Sequence, residues 1–154
     1  AQNTHTFCII VLPKNRIMYP EELVRPMRLD LVEAGFEELY TAQAVKDALN
    51  AEGTTLVMVN SVCGCAAGNA RPGAKMSLNN PHTPDRLVTV FAGVDFEAVD
   101  TAREMMLPFP PSSPCIALFK DGDLVHMLER HHIEGRPAIL IAENLKEAYN
   151  DFCN

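Results

Sequence analysis

The sequence predicts an α/β protein: a mixed sheet with helices on both faces. Three observations carry that expectation. Segments with helical spacing of apolar residues alternate with short β-branched runs along the chain. Two of those runs, Thr54–Val62 and Leu87–Ala92, are almost continuously apolar, as strands buried on both faces are. Near the end, two further runs flank Asp121-Gly122-Asp123, a hairpin signal, and a helical segment follows. Alternation that ends in a hairpin gives a sheet of mixed direction.

The elements follow in order. Residues 20–34 place Leu23, Met27 and Leu31 at four-residue spacing, with Pro20 suited to a helix start and Gly35 to its end. Pro26 lies inside this segment and is expected to kink it, because it removes one helical hydrogen bond. Phe36–Tyr40 reads as a short strand. Thr41 suits the N-cap of the next helix, where Ala44, Val45, Ala48 and Leu49 share a face that ends at Gly53. The strand Thr54–Val62 runs into the small residues Cys63-Gly64-Cys65-Ala66-Ala67-Gly68, which read as a helix start. After Leu87–Ala92 comes a helix over Asp95–Leu107, with Phe96, Val99, Ala102 and Met106 on one side. Residues 108–114, PFPPSSP, read as an irregular loop. Ile116–Lys120 and Leu124–Leu128 form the hairpin, and Ala138–Phe152 is a closing helix with Ile139, Ala142, Leu145 and Tyr149 on its apolar side.

At 154 residues, 47% of them apolar and 21% charged, the chain has the size and composition of one folded domain. Residues 18–154 are expected to form that domain, with 1–17 as an N-terminal extension outside it. A net charge of −7 offers no basic stripe for nucleic acid and disfavours an anionic membrane surface. The apolar run Phe7–Leu12 has no basic stretch before it and is far too short to span a bilayer, so a cytoplasmic location is the expectation.

Five cysteines are an odd number, so at least one thiol is unpaired, and their spacings do not suit a small disulfide scaffold. Cys63 and Cys65 stand out because they follow a buried strand and open a helix. Open amide donors and the positive end of the helix dipole favour a thiolate there, and the thiolate is the attacking species in disulfide exchange. Gly64 and the small residues after Cys65 leave room for a disulfide substrate. Residues two apart on a helix point about 200° apart, so a bridge between them requires a distorted first turn. Two other readings stand beside this one. The pair could be small buried residues without chemistry, or soft ligands for Cu(I) or zinc, although no second close Cys/His pair completes a four-ligand site. His131-His132 reads as a solvent-facing turn.

The buried strand ending in a Cys pair, together with Ser113-Pro114 before a strand–hairpin–strand, resembles the thioredoxin fold. That resemblance makes Pro114 a candidate cis-proline lying beside the redox cysteines. The segments YPEELVRPMR, AGFEEL, GTTLVMVNSVCGCAAGNARPG, TVFAG, PPSSP and ERHHIEG resemble, more narrowly, the bacilliredoxin family over about residues 18–153. The resemblance implies a cytoplasmic thiol-disulfide oxidoreductase that removes bacillithiol from S-bacillithiolated proteins. It implies no tightly bound cofactor or metal, with bacillithiol as thiol co-substrate and bacillithiolated proteins as partners. Cys63 would be the nucleophile and Cys65 the resolving thiol. Weak disulfide isomerase activity is also described for members, which makes isomerisation the alternative activity and metal carriage a more distant one. The chain departs from ordinary thioredoxins: Val62 stands where Trp precedes the first Cys, and TTLVMV contains no buried acid. Cys115 follows Pro114, either as a third thiol near the site or as a plain buried strand residue. Asn60, Ser61 and Arg71 are expected either to tune the thiolate or bind a bacillithiol carboxylate, or to cap, end the strand and meet solvent. Cys8 falls in the extension and Cys153 at a frayed C-terminus.

Overall fold

A computed structural model describes residue 16 and residues 18–154. The expected extension, with Cys8, therefore lies outside the described residues except for Arg16. Five strands form one sheet in the order β1-β3-β2-β4-β5: β1 is Glu37–Glu38, β2 Thr54–Asn60, β3 Arg86–Phe91, β4 Cys115–Lys120 and β5 Asp123–Leu128. β3 runs parallel to both β1 and β2, whereas β4 is antiparallel to β2 and to β5, so the sheet is mixed as expected. At the hairpin, Asp121 and Gly122 have φ of 50° and 86°, the left-handed pair that a tight two-residue turn requires.

The helices are α1 (Glu21–Val32), α2 (Ala42–Leu49), α3 (Arg71–Ser77), α4 (Phe96–Met105), α5 (Arg130–Ile133) and α6 (Ala138–Phe152), with a π-helical turn, Ala66–Ala70, leading into α3. The two-residue period of β2 sorts the core. Leu56 and Met58 face α1, α3 and α6 through Leu31, Ala74, Ile141, Leu145 and Tyr149. Val57 and Val59 face α2 and α4 through Val45, Leu49, Val99 and Ala102. All seven residues of β2 are buried, so this strand is the spine on which the following turn is mounted. Thr41 caps α2 as expected, its side-chain oxygen accepting from the Ala44 N–H at 3.1 Å.

Three expectations change. In α1 the buried face is Val24, Arg28 and Leu31, while Leu23 is exposed. Arg28 is drawn inward because both its terminal nitrogens reach Asp95 at 2.8 Å and its Nε reaches Glu21 at 2.9 Å, over the rings of Phe91 and Tyr40. The helix also continues through Pro26, which falls on its exposed side. In α6, Ile139 is exposed and Ile141 is the buried residue. Cys153 is not frayed: it is buried against the α1, α3 and α6 side of the core, and its N–H bonds the Tyr149 carbonyl at 2.7 Å.

Candidate active site

β2 delivers the chain to Cys63 through Asn60 and Ser61, and these two residues are fixed by a chain of hydrogen bonds. The Asn60 side-chain amide donates to the Met27 carbonyl at 3.1 Å, and Asn60 Oδ1 accepts from the Ser61 N–H at 2.9 Å. Ser61 Oγ in turn accepts from the Cys63 N–H at 3.1 Å. Arg71 closes the network from α3. It donates to Asn60 Oδ1 at 3.0 Å and to the Ser61 carbonyl at 3.1 Å, and its Nε lies 3.3 Å from Asp30. The alternative of a solvated Arg71 is therefore overturned, because only 5% of this residue is exposed. Burial pulls its pKa down and Asp30 opposes that pull. The buried charge under the motif is thus a cation, where β2 supplies no acid.

Cys63 and Cys65 are joined by a disulfide with their Cα atoms 5.4 Å apart, both half-buried. The Cys65 N–H points at Cys63 Sγ, 3.2 Å away. The Cys63 carbonyl accepts from the N–H groups of Ala66 and Ala67 at 3.0 and 3.3 Å. A π-helical turn, Ala66–Ala70, follows the pair, with Cys65 at its N-cap in αR backbone. Gly64 is exposed, and a Cβ built on Gly64 or Gly68 would meet nothing within 4 Å, so this edge of the motif is open. Gly73 differs: a Cβ there would sit 2.7 Å from Ile141 Cγ2, so α3 must carry glycine where it crosses α6.

The Ser113–Pro114 bond is cis, as the resemblance implies, and Leu107–Pro108 is a second cis bond that the sequence reading did not anticipate. Because Val59 pairs with Cys115, the sheet register sets Pro114 beside the end of β2 that leads to Cys63. Sequence reasoning missed what holds this loop. Arg130 donates from its backbone to Ser112 Oγ at 3.3 Å and from its side chain to the Ser113 carbonyl at 3.2 Å. The signal lay in ERHHIEG, whose His131-His132 reads as a solvent-facing turn but folds within the short helix α5. There the Glu129 N–H donates to His132 Nδ1 at 3.0 Å in a capping box, while His131 is exposed. Glu129, His131 and His132 also bring metal-type ligand atoms within 4.8 Å of one another, but Glu129 and His132 are occupied in capping each other.

Cys115 is buried in β4 with its sulfur 4.0 Å from Met106 Sδ, and burial pushes its pKa up to about 12. It is a protonated strand residue that follows the cis-proline and packs into the α2 and α4 side of the core. Among the described residues no helix is long and apolar enough to cross a membrane.

Residues 19–153 match the protein family described as Disulphide isomerase. A bacilliredoxin of Cytophaga hutchinsonii is 59% identical over 134 residues, covering 87% of this chain and 99% of that one. Another from Shouchella clausii is 54% identical, covering 88% and 94%, and one from Staphylococcus aureus is 48% identical over the same shares. Among solved structures, the thioredoxin of Malassezia sympodialis superposes with a TM-score of 0.54 at 15% identity, over 78% of this chain and 92% of that one. Oxidised mitochondrial thioredoxin 3 of Saccharomyces cerevisiae gives 0.51 at 17% identity, over 76% and 95%. The fold is thioredoxin-like, and the chain belongs to the bacilliredoxin family of thiol-disulfide oxidoreductases.

Proposed function

We propose that this oxidoreductase removes bacillithiol from S-bacillithiolated protein cysteines, with Cys63 as the attacking thiol. The observation that carries the reading is the Cys65 N–H aimed at Cys63 Sγ at the open, glycine-flanked edge of the turn. In the reduced protein that donor would favour the Cys63 thiolate over the thiol. The thiolate attacks the bacillithiol sulfur of the mixed disulfide. One S–S bond forms, another breaks, and the client thiolate departs with the electron pair and takes up a proton. Cys65 then attacks Cys63 Sγ, expels bacillithiol and leaves the Cys63–Cys65 disulfide. Two electrons from a thiol reductant return that disulfide to the dithiol, a cycle suited to the reducing cytoplasm. Asn60, Ser61 and Arg71 position the turn, and Pro114 bounds the approach on the other side. No resident cofactor is needed, since bacillithiol enters as co-substrate.

The test uses a bacillithiolated client protein and mass spectrometry. The Cys65→Ser variant should accumulate bacillithiol on Cys63, and Cys63→Ser should accept none. Transfer that persists in Cys63→Ser would overturn the assignment. A second reading, isomerisation of protein disulfides, is favoured by the description of the matching family. It predicts that scrambled protein disulfides are repaired without any small thiol.

A further inference from the structure

A cleft of about 290 Å³ opens at Ser61, two residues before Cys63, between the end of β2, the cis-proline loop and α4. Its walls include Tyr19, Ser61, Gly93, Phe96, Arg103 and Ser113. Two of these border the proposed chemistry directly: Ser61 holds the Cys63 N–H, and Ser113 precedes Pro114. The cleft also contains two guanidinium groups in different situations. Arg16 is neutralised by Asp100 at 2.6 Å and stacks on Phe96, 5.0 Å from the ring centre. Arg103 forms no ion pair among the described residues, and its Nε is buried without a hydrogen-bond partner. That Nε is closed off from the cleft, as those of Arg28 and Arg71 are from solvent, so a guest would meet the rest of the guanidinium, whose charge has no carboxylate partner and favours an anion. The Arg103 charge also reaches Cys115, next to Pro114, where it works against the burial that raises that thiol.

We infer that this cleft is an anion subsite in which Arg103 binds a carboxylate of the small thiol whose sulfur is transferred to Cys63. The inference rests on the reading of Cys63 as the attacking thiol and adds where the rest of the substrate sits. A net charge of −7 makes the protein as a whole repel such anions, so the preference must come from a local cation. Asn60, Ser61 and Arg71, for which the sequence offered carboxylate binding as one of several roles, are already bound to one another and to the backbone. In the exchange step, Cys63 thiolate attacks one sulfur of a symmetrical small disulfide. The Cys63–S–S–R bond forms as the R–S–S–R bond breaks, and RS⁻ leaves with the electron pair.

Two probes separate the subsite from the chemistry: 3,3′-dithiodipropionate, which carries carboxylates, and neutral 2-hydroxyethyl disulfide. The rate of adduct formation on Cys63 is measured for each by quenching and mass spectrometry in the reduced full chain carrying Cys65→Ser, the parent protein of this test, where the adduct is not resolved. Arg103→Gln should lower the ratio of anionic to neutral rates about tenfold, the effect of one charge-assisted hydrogen bond, without changing the neutral rate. Arg103→Lys should retain most of the ratio, and added salt should lower the ratio in the parent but not in Arg103→Gln. An unchanged ratio in Arg103→Gln, with Cys63 still modified by both probes, would overturn the subsite and leave the proposed function standing. Failure of both probes to modify Cys63 in the parent protein would overturn the reading of Cys63 as the attacking thiol and the subsite with it, whereas failure of the anionic probe alone would overturn only the subsite.

Discussion

Arg71 lies under the Cys63-Gly64-Cys65 turn, and Arg103 lines the cleft beside it. Beneath the turn, the guanidinium is matched by Asn60, the Ser61 carbonyl and Asp30. Beside the turn, Arg103 has no carboxylate partner among the described residues. The same contrast holds for the glycines, since Gly73 is pressed against Ile141 while Gly64 and Gly68 face open space. One side of the motif is built to hold the turn still. The other is left with room and an unpaired cation, which suits the substrate-receiving role proposed for it.

This contrast can be broken by substitution. The largest effect is expected beneath the turn: Arg71→Met should cost about 2–3 kcal/mol of unfolding free energy in urea. It leaves Asn60 Oδ1 and the Ser61 carbonyl short of a donor, while partly exposed Asp30 recovers some solvation. Gly73→Ala should cost about 1–3 kcal/mol by forcing α3 away from α6. A loss below about 0.5 kcal/mol for either would show that the buried side is not the rigid one.

Acid should act next, through α5. Burial, followed by the neighbouring His131, holds the His132 pKa below its ordinary value. The unfolded chain therefore binds more protons than the folded one as pH falls through about 6.5, and folding weakens in that direction. The melting temperature should fall between pH 7 and pH 5, by less in His132→Asn. Equal losses in the two proteins would remove His132 from the explanation. The smallest stability effects belong to the open side. Gly64→Ala and Arg103→Gln should each stay within about 0.5 kcal/mol of the parent.

What could be read from the sequence follows from how local each signal is. α6 keeps the predicted bounds of 138 to 152 because its apolar period is sustained over four turns. The hairpin was legible in Asp121-Gly122, and the strand-to-helix placement of Cys63 and Cys65 in the run of β-branched then small residues. α1 was misread because a leucine period cannot foresee that Asp95, 67 residues away, draws Arg28 inward and leaves Leu23 outside. The burial of Arg71, the brace from Arg130 to Ser113 and the state of Arg103 are all tertiary facts. Nothing in the residues nearby in sequence announces them.

The account depends on one property, that Cys63 is the thiol poised for attack. It is tested most directly by the pH dependence of thiolate ultraviolet absorbance in the reduced Cys65→Ser variant, which retains the backbone N–H at position 65. Cys63 should ionise well below the free-thiol value of about 8.5, while Cys115 stays protonated until about 12. A Cys63 midpoint at or above the free-thiol value would contradict the account.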